Sequence, residues 1–197
     1  MNEKEILSLL SRTGALLEGH FLLSSGLHSD RYVQCAKLLQ YPDIAEMVGR
    51  ALSQRFRSQN FPAPDIVASP AIGGIVIGQE VARAMGIPHI FVEKDDEGKP
   101  VLRRGFEIEK GQKFIVVEDV ITTGKSTNEV IELLRKGGGT AVGVLCIVDR
   151  SGTRELPFKN IPTISLIKLN VSTYNPAECP LCKENIPVVK PGSRKII

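Results

Sequence analysis

Residues 114–127 read FIVVEDVITTGKST, and this stretch decides the fold. Four apolar residues, Phe114 to Val117, fit a strand buried on both faces. Glu118 and Asp119 follow where that strand ends, and a turn rich in Thr, Ser and Gly then opens a helix. Hydroxyls, close backbone N–H groups and the positive end of a helix make a cradle for a phosphate. Two carboxylates beside that cradle suit hydroxyl groups, such as those of a ribose. Gly124-Lys125-Ser126 has the look of the end of a P-loop. In that motif another glycine stands five residues earlier, where this chain has Asp119, so the match fails.

Outward from this stretch the chain alternates strand and helix patterns. Residues 65–68 (DIVA), 89–92, 141–148 and 163–169 read as further strands, and 42–56, 75–85 and 128–136 as helices. Ser126 or Thr127 is the expected cap of the last helix, and Gly137 its stop. Such alternation predicts an α/β fold, a parallel sheet flanked by helices, with ligands at the carboxyl ends of the strands. Ser69-Pro70-Ala71-Ile72-Gly73-Gly74 lies at another strand end before another helix. Residues 93–106 (EKDDEGKPVLRRGF) are polar and carry no clear period. From the loop alone a functional lid and a solvated hairpin fit equally well.

Composition narrows the classes. The 197 residues are 42% hydrophobic and 24% charged, enough for one domain with a single core. A formal charge of +3, spread along the chain, is too diffuse for a nucleic-acid partner, and the lack of Trp argues against base stacking. No stretch has the roughly 20 apolar residues that span a bilayer. The start, MNEKEILSLL, reads as a short amphipathic helix capped by Asn2 rather than a signal peptide, which predicts a cytoplasmic protein. Cys179-Pro-Leu-Cys182 is a C-x-x-C, but no second pair or nearby His follows it. A local structural turn is the favoured reading over half a zinc site or a redox pair.

The stretch 114–127 closely resembles the motif by which type I phosphoribosyltransferases bind phosphoribosyl pyrophosphate (PRPP). The N-terminal stretch 19–38 (GHFLLSSGLHSDRYVQCAKL) resembles the base-covering hood of the orotate phosphoribosyltransferases, through Phe21, Leu23, Ser25, Gly26, Ser29 and Tyr32. Val148-Asp149-Arg150 matches as well. The resemblance covers most of the chain. It implies the type I phosphoribosyltransferase fold, with a core over about 41–170 and a hood built from about 1–40 with the C-terminal segment.

It also implies roles. Glu118 and Asp119 hold the ribose hydroxyls, and Thr122, Thr123, Gly124, Lys125, Ser126 and Thr127 hold the 5-phosphate, with Val120 and Ile121 in the same PRPP-binding run. Ala71, Ile72, Gly73 and Gly74 form the pyrophosphate loop. Arg150 pairs with the orotate carboxylate, which suits a bidentate guanidinium; a surface ion pair with Asp149 is the plain alternative. Thr122, Ser25, Gly26 and Tyr32 face the base. Lys94, Arg103 and Arg104 act with Asp119 at the reacting centre. Mg²⁺ is implied, held mainly through PRPP rather than by direct protein ligands. So is a homodimer in which the loop 93–106 closes over the neighbouring subunit's site. Two departures stand out: Ser24, and the neighbourhood of Gly73, lack the Lys that many orotate enzymes carry there. A phosphoribosyltransferase for another base and a PRPP-sensing regulator are the rival readings.

Overall fold

The computed structural model describes residues 1–23 and 25–191, so Ser24 lies outside the described residues. The chain opens with helix α1 (Glu3–Arg12), then strands β1 (Leu16–Leu22) and β2 (His28–Val33). Helices α2 (Ala36–Leu39) and α3 (Pro42–Arg57) lead to β3 (Ile66–Pro70), α4 (Gly73–Met85), β4 (His89–Lys94) and β5 (Pro100–Leu102). Then come β6 (Lys113–Ile121), α5 (Lys125–Lys136), β7 (Thr140–Asp149) and β8 (Thr163–Lys168). The chain closes with β9 (Thr173–Tyr174), a 3-10 turn (Pro176–Glu178) and α6 (Pro180–Lys183).

Asn2 does cap α1. Its Oδ1 accepts from Glu5 N at 3.0 Å while Glu5 Oε2 accepts from Asn2 N at 2.8 Å, a closed capping box. At α5 the expected cap is corrected. The helix begins at Lys125, with Gly124 at the cap position in the left-handed region (φ 72°) and no capping side chain. A Cβ on Gly124 would lie 2.8 Å from the Phe158 ring, so the turn needs glycine for space as well as for φ.

Six strands form one sheet in the order β5-β4-β3-β6-β7-β8, parallel except for β5. Within β6 the residues alternate between two cores. Ile115 and Val117 pack with α1–α4, and Phe114 and Val116 pack with Val130, Ile131 and Leu134 of α5. All four strand residues are fully buried, and each contributes about 1.5–3 kcal/mol of burial. The polar segment 93–106 is a hairpin at its base, with Glu93 opposite Val101 and Lys94 opposite Pro100. Asp95 Oδ1 holds its tip by accepting from Glu97 N (3.0 Å) and Lys99 N (2.8 Å). A second, three-stranded sheet of order β1-β2-β9 joins the N-terminal strands to the tail. No helix among the described residues is long and apolar enough to cross a membrane.

One buried contact sets a pH dependence. Ser69 Oγ and His89 Nε2 lie 2.5 Å apart on neighbouring parallel strands, and burial pushes the imidazole down from 6.5 to about 4. The unfolded chain therefore binds this proton first. The group's contribution to stability is present above pH 6.5 and is lost as pH falls toward 4. We expect the denaturation midpoint of the wild type to fall more steeply across that window than that of His89→Gln. Parallel profiles would refute this.

Candidate active site

Chain order places the switch point between β3 and β6. The connection from β3 runs to β4 on one side, and β6 then pairs with β3 on the other. Crevices of this kind, at the carboxyl ends of parallel strands, are where α/β sheets bind ligands. The two strand ends touch there. A Cβ on Gly73 would meet Asp119 Oδ1 at 2.8 Å, and one on Gly74 would meet the Val117 carbonyl at 2.9 Å. Glycine at both positions lets the start of α4 lie directly against the acidic end of β6. Ala71 and Ile72 make the turn between them, with Ile72 84% exposed and the Ala71–Ile72 peptide cis.

Beside this crevice lies a cleft of about 980 Å³. Its floor comes from Asp119 and Val120 at the end of β6, Thr122 and Thr123 just after it, and Arg150 after β7. Its wall comes from the β1–β2 turn, with Leu23, Ser25 and Leu27, and from Tyr32. That turn is closed by Leu23 N donating to Leu27 O (2.8 Å) and by Gly26 at φ 82°. Asp119, Val120, Thr122, Thr123, Arg150, Ser25 and Tyr32, all expected to meet PRPP or the base, thus surround one space.

The pleat separates the two carboxylates. Asp119 faces the cleft, whereas Glu118 is 8% exposed and does not line it. Burial, then the charge of Asp119, pushes the Glu118 carboxyl well above the ordinary range. Burial also raises Asp119, but hydrogen bonds from Glu118 and from the Val120 N–H hold it back. Burial thus raises both carboxyls, which titrate as a pair, and Asp119 is the one that faces the cleft.

Two residues along, α5 presents its N-terminus. Lys125 N is satisfied by Thr123 Oγ1 at 3.3 Å, and no cap side chain closes the rest of the first turn. Ser126 and Lys125 are exposed there, and Thr127 and Ile121 are buried supports. Uncapped N–H groups at the positive end of a twelve-residue helix are an anion site.

Arg150 is the cation at the end of β7 that lines the cleft. Its backbone N donates to Ile121 O at 2.8 Å, which fixes the end of β7 beside the end of β6. Its side-chain Nε is buried with no hydrogen-bond partner among the described residues, as is Oδ1 of Asp30. Burial lowers the guanidinium's basicity, and Tyr32 and Asp30 offset this only in part. The plain alternative, an ion pair with Asp149, does not form. Asp149 Oδ1 instead accepts from Ser151 N (2.9 Å) and Ser151 Oγ (2.7 Å). A partly desolvated guanidinium on a residue that lines the cleft suits a planar anion.

The loop cations are not brought to this cleft: none of the residues 93–106 lines it. Lys94 Nζ pairs with Glu129 at 2.8 Å, and Arg104 makes a bidentate pair with Glu93 at 2.9 and 3.0 Å while lying over the Phe91 ring. Arg103 is exposed. The sequence reading missed Arg154, Asn170 and Lys190, which also line the cleft. Arg154 Nη1 donates to the Thr122 carbonyl at 3.5 Å. No spacing marks these three residues; only the fold gathers them.

Comparison with known proteins agrees with this geometry. A family model for the phosphoribosyl transferase domain matches residues 34–177. The orotate phosphoribosyltransferase of Caldanaerobacter subterraneus subsp. tengcongensis is 50% identical over 196 residues, covering all of both chains. That of Pelotomaculum thermopropionicum is 49% identical over 197 residues, again covering all of both. Among solved structures, orotate phosphoribosyltransferase from Aeropyrum pernix aligns with a TM-score of 0.70 at 28% identity, over 83% of this chain and 93% of that one.

Proposed function

The chain belongs to the orotate phosphoribosyltransferase family, and from that membership we infer that it transfers the ribose 5-phosphate group of PRPP to N1 of orotate. The products are orotidine 5'-monophosphate and pyrophosphate, on the way to UMP. The observation that carries the choice of base is Arg150, a half-buried guanidinium with an unpartnered Nε at the cleft. Orotate differs from uracil by one carboxylate, and that group supplies the missing acceptors.

The described residues divide the work as follows. The N-terminus of α5, with Thr123 and Ser126, holds the 5-phosphate. Asp119 accepts hydrogen bonds from the ribose hydroxyls, and Glu118 lies buried behind it. The turn Ala71–Ile72–Gly73–Gly74 takes the pyrophosphate through backbone N–H groups. Arg150, with Thr122, Ser25, Gly26 and Tyr32, orients orotate. N1 then attacks C1 as the bond to pyrophosphate breaks, and the transition state has oxocarbenium character. Orotate N1 is acidic enough to react without a dedicated base, so no side chain needs to act as nucleophile.

The donor set suits Mg²⁺ that arrives with PRPP. Asp119 offers a hard oxygen ligand at the cleft, too little for a protein cage, and Mg²⁺ characteristically completes its shell with phosphates and water. When bound it supplies neutralisation of the charge that gathers on the pyrophosphate.

The hairpin 93–106 serves the cleft of a second subunit in a homodimer, where Arg103, Lys94 and Arg104 meet the pyrophosphate and exclude water. The support is that these cations stand outside their own chain's cleft. In a mixed dimer Arg103→Ala on one chain and Asp119→Asn on the other then fall on the same site and leave the second site intact. Mixing and reassociating the two inactive variants should recover up to about a quarter of wild-type turnover, because half the dimers carry one intact site. No recovery from a mixture shown to have exchanged subunits would rule the shared site out.

The base assignment is tested by competition. With PRPP and Mg²⁺ present, orotate should be preferred to uracil by about 10³-fold or more in kcat/KM, because a site built around a buried polar group rejects the analogue that leaves it unpaired. Equal use of the two bases would refute the role of Arg150.

A further inference from the structure

Outside the cleft, four side chains that no step above uses converge on one point. His20 lies on β1, His28 begins β2, and Cys179 and Cys182 flank and occupy α6 in the tail. Their nearest ligand-capable atoms all lie within 4.8 Å of one another. His20 Nε2 is 2.7 Å from His28 Nδ1, 3.5 Å from Cys179 Sγ and 3.7 Å from Cys182 Sγ, and Cys182 Sγ is 3.3 Å from His28 Nδ1. His20, His28 and Cys179 are buried at 3%, 8% and 0% exposure, and all four Cys of the chain are free thiols.

The tautomer of His20 is set from outside the cluster. Its Nδ1 lies 2.7 Å from the Ile186 carbonyl, which can only accept, so Nδ1 carries the proton and Nε2 turns its lone pair inward. A carbonyl orienting an imidazole in this way is the usual outer shell of a metal-bound histidine. The backbone clamps the same place: Val189 N donates to His20 O (2.8 Å) and Leu22 N to Val189 O (2.9 Å). A hydrogen bond between the two imidazoles would account for one of the close distances. It would leave two sulfurs facing the same lone pair, with only weak thiol bonds to make.

We propose that His20, His28, Cys179 and Cys182 form a structural zinc site that staples the C-terminal segment to the β1–β2 hairpin. Thiolate and imidazole donors in a closed set of four select Zn²⁺ in tetrahedral geometry. Zn–N bonds near 2.0–2.1 Å and Zn–S bonds near 2.3 Å place such ligand atoms about 3.3–3.8 Å apart. The N–S distances already fall in or near that range, and the two nitrogens must part by roughly 0.6 Å. The donors are soft, unlike the carboxylates at the end of β6, so this site does not compete for Mg²⁺. Its effect on the cleft is mechanical. The hairpin it pins carries Leu23, Ser25 and Leu27, and the tail it pins carries Lys190, all of them lining residues. The inference does not rest on the identity of the base.

The test is metal content and spectroscopy on the full chain, expressed without a His tag and purified without chelator. Elemental analysis should find about one zinc per chain. Replacement by Co²⁺ should give the intense visible bands of a tetrahedral thiolate site. Cys182→Ser and His28→Ala should each weaken Co²⁺ binding by about 100-fold or more, the upper end of what loss of a mere outer-shell partner costs. Cys182 is partly exposed, so its variant is the safer one to fold, and cooperative unfolding checks that it has. Removing zinc with a mercurial and chelator should speed amide exchange in β1, β2 and residues 176–189, and leave β6 and β7 protected. Three results would each overturn the proposal: folded wild type that holds no zinc and gives no Co²⁺ bands, full zinc retention by the His28→Ala/Cys182→Ser double variant, or recovery of Cys179 and Cys182 as a disulfide from protein prepared under reducing conditions.

Discussion

Replacing Arg150 by alanine should raise the KM for orotate by about 30-fold or more, because losing one partner of a buried charge pair costs about 2–5 kcal/mol and each 1.4 kcal/mol is tenfold. The KM for PRPP should stay within about threefold, since the lost interaction is confined to the base. The argument rests on desolvation. Nε of Arg150 is buried and unpartnered, and its neighbours Asp30 and Tyr32 compensate only part of that cost. Orotate binding repays it, and alanine removes both the cost and the repayment. Arg150→Lys keeps a charge but not the planar fork, so its loss should be intermediate. Steady-state kinetics with both substrates varied decide the matter. Unchanged orotate kinetics in Arg150→Ala would remove this residue from the site.

Asp119→Asn should fail in a different way. It should lower kcat/KM for PRPP by about 10²–10³ with any base, because a charged acceptor of two hydroxyl hydrogen bonds becomes a neutral amide with a single acceptor oxygen. Direct binding of orotate alone should survive. Stability moves the other way. Burial raises the carboxyl of Asp119, so keeping it ionised costs the fold more as pH rises through its folded value. The asparagine variant escapes that cost and should unfold at the same temperature as wild type or higher at neutral pH. Loss of activity together with loss of stability would point to misfolding and refute the role. Glu118→Gln is the matched control. Glu118 is buried and does not line the cleft, so its amide should keep most of the PRPP affinity.

How much of this was legible beforehand varies by element. The sheet was: an apolar run such as Phe114 to Val117 needs two covering faces, and both are present. The residues proposed to hold the phosphate could be picked out together because they are contiguous in the chain. The start of α5 was misplaced by three residues, since glycine at φ 72° replaced the expected hydroxyl cap. Segment 93–106 lacks a period because only Glu93 and Lys94 on one side and Pro100, Val101 and Leu102 on the other pair in the hairpin. The Cys179–Cys182 pair was read as an isolated turn because its partners, His20 and His28, lie more than 150 residues away in sequence. Antiparallel pairing of β2 with β9 brings the tail back to the hood, and nothing local encodes that. Arg154, Asn170 and Lys190 stayed invisible for the same reason.

Turnover by the purified wild-type chain with PRPP, Mg²⁺ and a panel of free bases tests the central claim most directly. Orotate alone should be consumed, with one pyrophosphate released per orotidine 5'-monophosphate formed. Consumption of a purine or of uracil in its place, or no turnover with orotate, would contradict it.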